Sequence, residues 1–494
     1  MHALLFLLPV LCHAAAPAPS CGTPPAGGRV DCGSVGTTQA SCEAGGCCWS
    51  PLSPNPHNEP WCFVAPPTPA PPTPSPGPPG PLTATLRVHY PDAMLRAAAA
   101  KSRNTTGHAA AAAALYVRGE GCAALSWAAG LPLEHTGADL WTAQLAGLNA
   151  GDQLSLKALV NDDVWAVGAN AAFTVPPAAG AAAFAGASAP TDERAAPALD
   201  YYPWFISTAG RYEYVRDVHS AQLGNRRDIV VYLPPSYDEN TLKPCRSLLL
   251  MHDGENVFND STSAFGVSWR AAPTVDALIV EGVIGELVIG ALDNTAARMF
   301  EYTYSDDHSA GYCASPGDCA GAEQYLDFLE QTALPLLTSR YRFVRGGGSA
   351  GELDLGILGS SLGGLVSCYA AWTRAGVYNR AGCMSSSFWW NGEDFNNTIL
   401  ASPPSRNGSA TAQRTAIYLD SGDSPAQDDD QHEPGDDKLQ TLRVRRTLEQ
   451  SYGYELGADL WYYLDPGGEH GEPWWGARFH VPMTALYGGA NLRN

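Results

Sequence analysis

Gly359-Ser360-Ser361-Leu362-Gly363 follows the apolar run Leu353 to Leu358 and leads into a small-residue stretch through Leu365, Val366, Tyr369 and Trp372. The order matters more than the five residues. An apolar run followed by a tight glycine turn and a helix-compatible segment predicts a strand-to-helix elbow. Such an elbow holds a serine in a strained backbone conformation at the carboxyl edge of a parallel sheet, with glycines two before and two after it relieving the crowding. The string is equally compatible with a glycine-rich connection that carries no chemistry, so the rest of the chain must decide.

The segment after about Asp200 supplies the sheet. Ile229 to Leu233, Leu248 to Met251, Leu287 to Ile289, Leu353 to Leu358, Ala416 to Leu419 and Leu460 to Leu464 read as strands. Between them Ala322 to Arg340 and Leu439 to Tyr452 show helical periodicity. Strands alternating with helices predict an α/β domain, a parallel sheet covered on both faces.

A serine nucleophile needs a base, an acid that orients the base, and amides aimed at the oxyanion. The last expected strand runs into Asp465-Pro466-Gly467-Gly468-Glu469-His470, which puts His470 on a glycine-flanked loop beyond a strand end. His480 competes, but it falls within an amphipathic helix over Trp474 to Tyr487, so His470 is the expected base. The acid is expected on the loop after Ala416 to Leu419. That loop, Asp420-Ser421-Gly422-Asp423 followed by Asp428, Asp429, Asp430, Glu433, Asp436 and Asp437, does not choose among its acids. Most of these charges are expected to be solvated surface, with a cation site the less common alternative.

Composition bounds the partners. At 494 residues the chain exceeds one ordinary domain. Its net charge of -21 argues against nucleic acid and anionic membrane surfaces. The apolar stretch Leu4 to Leu11, followed by Ala14 to Ala16, predicts a signal peptide over residues 1–18 and a secreted, extracellular protein. No later stretch is long enough for a membrane span. Of the 13 cysteines only Cys12 lies in that leader, which leaves an even number for a disulfide-permitting compartment. Asn104, Asn259, Asn396 and Asn407 each begin a glycosylation sequon.

Six of these cysteines crowd into residues 20–64: Cys21, Cys32, Cys42, Cys47, Cys48 and Cys62. So short a segment cannot build an adequate apolar core and must be stapled. The run Arg29-Val30-Asp31-Cys32-Gly33, with Gly46-Cys47-Cys48-Trp49 and Pro60-Trp61-Cys62-Phe63, resembles the P-type trefoil domain. Spacing alone leaves the connectivity open; the resemblance implies Cys21–Cys48, Cys32–Cys47 and Cys42–Cys62. It also suggests a glycan- or mucin-associated module, although a stabilising spacer fits as well. Cys313 and Cys319 are expected to pair across a short loop, whereas Cys122, Cys245, Cys368 and Cys383 cannot be paired from sequence.

Residues 65–82 form a proline-rich linker, and residues 176–204 an alanine- and proline-rich one. Between them, residues 83–175 carry short alternating segments at Leu86–Val88, Leu115–Val117, Leu140–Thr142 and Leu154–Val160. These predict a small β-sandwich. Ala124-Leu125-Ser126-Trp127 and Lys157 to Asp162, with Trp165, resemble starch-binding-like or early-set sandwiches. Its tryptophans either stack on sugar rings or fill the core, and core is the commoner use.

Residues 205–490 resemble the α/β-hydrolase family called Putative esterase, which includes siderophore, feruloyl and other carbohydrate esterases. The resemblance rests on several blocks in order: Met251-His252-Asp253-Gly254-Glu255-Asn256, Leu292-Asp293-Asn294-Thr295 with Arg298, and the elbow with Gly364. Met384-Ser385-Ser386-Ser387-Phe388-Trp389-Trp390, Tyr418 to Gly422, and Gly468 to Glu472 with Trp475 and Arg478 complete it. The resemblance implies Ser361 as nucleophile, His470 as base and Asp428 as acid, with Asp429 and Asp423 behind it. Leu362 with Glu255 or Gly254 would form the oxyanion hole. Asp253 is read as a turn-stabilising side chain. Trp389, Trp390 and Arg298 are candidate substrate contacts, although core packing would also account for the tryptophans. No cofactor or metal is expected. The implied reaction is hydrolysis of a carboxylic ester through an acyl-enzyme, with an acylated carbohydrate or related small ester as substrate. Acyl transfer on the same triad and a non-catalytic glycan-binding protein are the alternatives.

Overall fold

The computed structural model describes residues 32, 37–44, 47–50, 61–63, 82–101, 113–176, 197–306, 312–315, 317–344, 353–404, 414–424 and 436–488. The expected signal peptide, most of both linkers, Cys21, and the sequons at Asn104 and Asn407 lie outside these residues. The chain divides into two compact units, Met1–Pro79 and Gly80–Asn494. No described helix is long and apolar enough to cross a membrane.

In the first unit a short helix, Gln39–Ala44, precedes the strand Cys48–Trp49, which pairs antiparallel with Cys62–Phe63. Cys32 bonds Cys47 and Cys42 bonds Cys62. Cys48 is also disulfide-bonded. The buried apolar side chains described here are Cys42, Cys48, Cys62 and Phe63, so cross-links provide what so small a core cannot.

The second unit opens with two sheets packed face to face. One consists of Ala171–Thr174, Gln153–Val160, Leu115–Glu120 and Leu131–Pro132, with Val164–Trp165 beside the second of these; the other of Ala198–Tyr201, Leu82–His89, Leu140–Leu148 and Glu134–Gly137. Alternate residues point inward, so Ala84, Leu86 and Val88 meet Leu154, Leu156 and Ala158 in one core. The sandwich extends past its expected end. Ala198–Tyr201, assigned from sequence to a linker, pairs parallel with Leu82–His89 as an edge strand. Asp200 faces Arg87 there and closes a bidentate ion pair with it.

The remaining strands form one eight-stranded sheet: β1 (Arg211–His219), β2 (Arg226–Leu233), β3 (Ser247–Met251), β4 (Val288–Leu292), β5 (Asp354–Ser360), β6 (Arg380–Met384), β7 (Ala416–Gly422) and β8 (Leu460–Asp465). Their order is β1-β2-β4-β3-β5-β6-β7-β8, antiparallel through β1, β2 and β4 and parallel from there on. This is the α/β-hydrolase arrangement. Successive residues of β2 and β3 serve opposite cores, with Ile229, Val231, Leu248 and Leu250 on one face and Val230, Tyr232, Leu249 and Met251 on the other. Helix α1 (Ala271–Val280) covers the second face. Helices α2 (Leu362–Thr373) and α3 (Lys438–Tyr452), with the helical run 322–340, cover the first. The register places Ser360 opposite Met384, Met384 opposite Asp420, and Gly422 opposite Asp465. The carboxyl ends of four adjacent strands therefore reach one edge together.

Candidate active site

Ser361 stands between β5 and α2 with φ 57° and ψ -126°, a combination that L-residues rarely adopt. Holding it costs on the order of 1–3 kcal/mol. The turn is over-determined by its neighbours. The Ser361 amide donates to Met384 O, and its own carbonyl accepts from Leu365 N and Ser387 N. A Cβ on Gly359 would lie 2.7 Å from Gly363 C and 2.8 Å from His252, so only glycine lets strand and helix close this tightly. His252 is packed beneath that turn, with Nδ1 2.8 Å from Tyr325 Oη, and burial pushes its pKa down to about 3. It is a neutral packing group.

Past the β8 end, the loop 466–471 carries His470 back over the same edge. Its Nδ1 lies 2.6 Å from Asp436 Oδ1. An ionised carboxylate only accepts, so Nδ1 carries the proton and Nε2 is left as the basic nitrogen. Trp475 stands edge-on to the imidazole at 4.9 Å. The Asp436 side chain is fully buried. Its second oxygen accepts from Ser385 Oγ at 2.5 Å and Gly422 N at 2.7 Å. Burial alone would raise the Asp436 carboxyl, but the bonds and charge of these partners outweigh it and hold it below the ordinary aspartate value. For His470 burial works downward, and the bond to Asp436, the charge of Asp436 and that of Asp437 lift it above 6.5.

Ser361 and His470 line one cavity of ≈ 550 Å³. Arg298 is in its wall. Its guanidinium grips Asp253 through two bonds of 2.7 and 2.9 Å, and Asn294 Nδ2 donates to the same carboxylate at 2.7 Å. Asp253 thus does more than stabilise its turn. Trp389 and Trp390 belong elsewhere. Trp390 is fully buried and donates Nε1 to Ser305 O, and Trp389 packs against the same core. The aromatic wall comes instead from Phe265, Trp474 and Trp475, with Glu469 and Glu472 beside them. None of these was expected in the cavity from sequence; for Glu472, Trp474 and Trp475 the signal available was their position just after His470.

Leu362 N opens α2, where the first amides have no intrahelical acceptor. Gly254 and Glu255 open a single 3₁₀ turn. The Glu255 amide bonds its own carboxylate. Gly254 is needed for packing as well, since a Cβ there would meet Ala291 O at 2.6 Å. Asp428 and Asp429 lie outside the described residues, and Asp423 accepts from Gly467 N. The carboxylate that meets His470 is Asp436, which stood in the expected acidic loop but was not singled out. Cys313 bonds Cys319, and Cys368 bonds Cys383, tying α2 to β6. Cys122 and Cys245 carry free thiols.

A family model described as Putative esterase matches residues 220–485, and one described as Trefoil (P-type) domain matches residues 21–65. A Bacillus subtilis (strain 168) protein called uncharacterized protein YbbA is 24% identical over 167 residues, 34% of this chain. The match spans 59% of that relative's length. Among solved structures, an IroE-like serine hydrolase from Shewanella oneidensis is similar at 17% identity and TM-score 0.41, over 56% of this chain and 79% of that one. The siderophore hydrolase EstB from Aspergillus nidulans has 17% identity and TM-score 0.42, over 58% of this chain and 97% of the other. The enterobactin esterase FES from Shigella flexneri has 14% identity and TM-score 0.37, over 83% and 94%.

Proposed function

This chain belongs to the Putative esterase family, and from that premise we propose that it is a secreted serine carboxylic-ester hydrolase whose triad is Ser361, His470 and Asp436. The observation that carries the reading is one cavity lined by a strained elbow serine and by a histidine whose far nitrogen is held by a buried carboxylate. His470 Nε2 takes the Ser361 proton as Oγ attacks the ester carbonyl. The amides of Leu362 and of Gly254 receive the developing oxyanion. The tetrahedral intermediate collapses, His470 returns the proton to the leaving alcohol, and an acyl-Ser361 ester remains. Water, deprotonated by His470, then releases the acid. Full-length protein should react with a fluorophosphonate probe at Ser361. Ser361→Ala should abolish both labelling and ester turnover; labelling that persists in this variant would sink the assignment.

The substrate in this reading is an acylated carbohydrate or a related small ester, and secretion is supported by the trefoil domain and by the number of disulfides. One observation favours a glycan-binding role for the sandwich beside the hydrolase. Trp127 and Trp165 are 36% and 41% exposed with ring centroids 6.4 Å apart and planes tilted by 31°, and Arg118 lies 5.4 Å from the Trp165 ring. Two outward aromatic faces suit sugar stacking better than core packing. Binding of the full-length protein to soluble polysaccharides should weaken in Trp165→Ala; equal binding by both proteins removes this role.

A further inference from the structure

Behind the triad lies a buried polar cluster that the ester reaction does not touch. Arg478 is 3% exposed, and its guanidinium reaches three carboxylates. Nε donates to Asp420 Oδ2 at 3.1 Å and Nη2 to Asp420 Oδ1 at 3.2 Å. Nη1 donates to Asp465 Oδ2 at 3.1 Å, and Nη2 stands 3.5 Å from Asp436 Oδ2. Nη2 also donates to Ser385 Oγ at 2.5 Å, and that hydroxyl in turn donates to Asp436 Oδ2. Ser385 Oγ takes a further bond from Trp475 Nε1 at 3.0 Å, and Ser385 N is held by Asp420 Oδ1 at 2.9 Å. The cluster therefore joins the ends of β6, β7 and β8 to the helix that follows His470.

From this geometry we infer that Arg478, acting through Ser385 and balanced by Asp420, is the positioning residue that keeps Asp436 ionised and its Oδ1 aimed at His470; the inference rests on the triad reading above. Asp420, Asp436 and Asp465 converge where water is scarce, and carboxylates that close cannot all remain ionised without a cation. A protonated Asp436 would neither hold the His470 tautomer nor stabilise the imidazolium formed as Ser361 loses its proton. The fork of a guanidinium matches the two oxygens of Asp420, which a lysine ammonium cannot do. Ser385 is what turns this charge into direction. With Ser385 Oγ and Gly422 N both on Oδ2, the other oxygen is left to His470.

The test measures the rate of fluorophosphonate labelling of Ser361 against pH, which needs no knowledge of the natural ester. Arg478→Gln should slow labelling by about 100-fold, the scale of a small misplacement at a reacting centre. Its acid limb should move to higher pH, because losing a nearby cation favours the protonated His470–Asp436 pair. Arg478→Lys keeps the charge and should restore the limb while recovering only part of the rate. Ser385→Ala removes a bond to Asp436 without removing the buried cation, and should slow labelling by roughly 10-fold; it decides the matter if Arg478→Gln does not fold. Folded Arg478→Gln with an unchanged rate and limb overturns the inference, and so does Ser385→Ala labelling at the wild-type rate. Failure of the wild-type protein to label at Ser361 would instead remove the triad reading itself.

Discussion

Arg298 and Arg478 each hold an aspartate through two hydrogen bonds, and they differ in what lies on their other side. Arg298 keeps 30% of its side chain exposed in the wall of the catalytic cavity, and its partner Asp253 keeps 12%. Arg478 keeps 3%, and Asp420 and Asp436 none. Pairing is thus common to a group that a substrate can touch and to one that can act only through its neighbours. Burial separates them. It also sets the energetics, because a lost partner inside leaves an uncompensated charge worth about 3–5 kcal/mol, whereas exposed pairs contribute about 0–1 kcal/mol. Arg227 provides a third case, paired with Glu301 at zero exposure on both sides and not part of the catalytic cavity's lining, where the role is support of β2 and the 298–302 helix.

The largest effect should come from the carboxylate on which the buried arginine acts. Asp436→Asn keeps the shape but inverts the hydrogen-bond logic at His470 Nδ1. We expect kcat to fall on the order of 10⁴-fold. A loss below about tenfold would mean that another carboxylate serves His470. The pH profile sharpens the same point. His470 must be neutral to accept the Ser361 proton, and its pKa is raised, so wild-type kcat/KM should decline as pH falls through a value above 6.5. Asp436→Asn removes the group that raises it, and the limb of the residual activity should move to lower pH.

Next comes stability. Glu301→Gln strips the partner from a buried guanidinium and should lower the unfolding free energy by about 3–5 kcal/mol in urea titrations. The folded fraction should keep its turnover number, because neither Glu301 nor Arg227 lines the cavity. A loss of kcat without loss of stability would erase the distinction between the supporting arginine and the positioning one.

These residues also mark where sequence reading reached and where it stopped. The elbow was legible because everything it needs is local: an apolar run, glycines at fixed offsets, a helix. His470 was legible because a strand end and a glycine loop announce it. The acid was not. Asp436 stands 34 residues before His470 at the end of an acidic run whose members look alike. What selects it is the meeting of β6, β7 and β8 ends, where Ser385, Gly422 and Arg478 converge on one carboxylate. Tertiary packing decided the tryptophans as well. Trp389-Trp390 follows a strand end just as Trp474-Trp475 follows the histidine loop, and only the second pair reaches the cavity. The Cys368–Cys383 bridge needed the docking of α2 on β6 before it could be read.

The smallest effect, and the one that tests the comparison most directly, is expected at Arg298. Arg298→Lys keeps a cation beside Asp253 but loses the fork, so one of the two bonds to the carboxylate disappears while Asn294 still donates to it. A group that only borders the bound ester contributes to ground state and transition state alike. KM should then rise by up to about tenfold with kcat nearly unchanged. The acid limb should stay where it is in the wild type, since the Asp436–His470 pair is untouched. Arg478→Lys should show the reverse pattern, a lower rate at the reacting centre with substrate affinity preserved. If instead both lysine variants lower kcat alike and leave KM alone, exposure is not what divides the two arginines, and Arg298 too must be counted among the groups that position the triad.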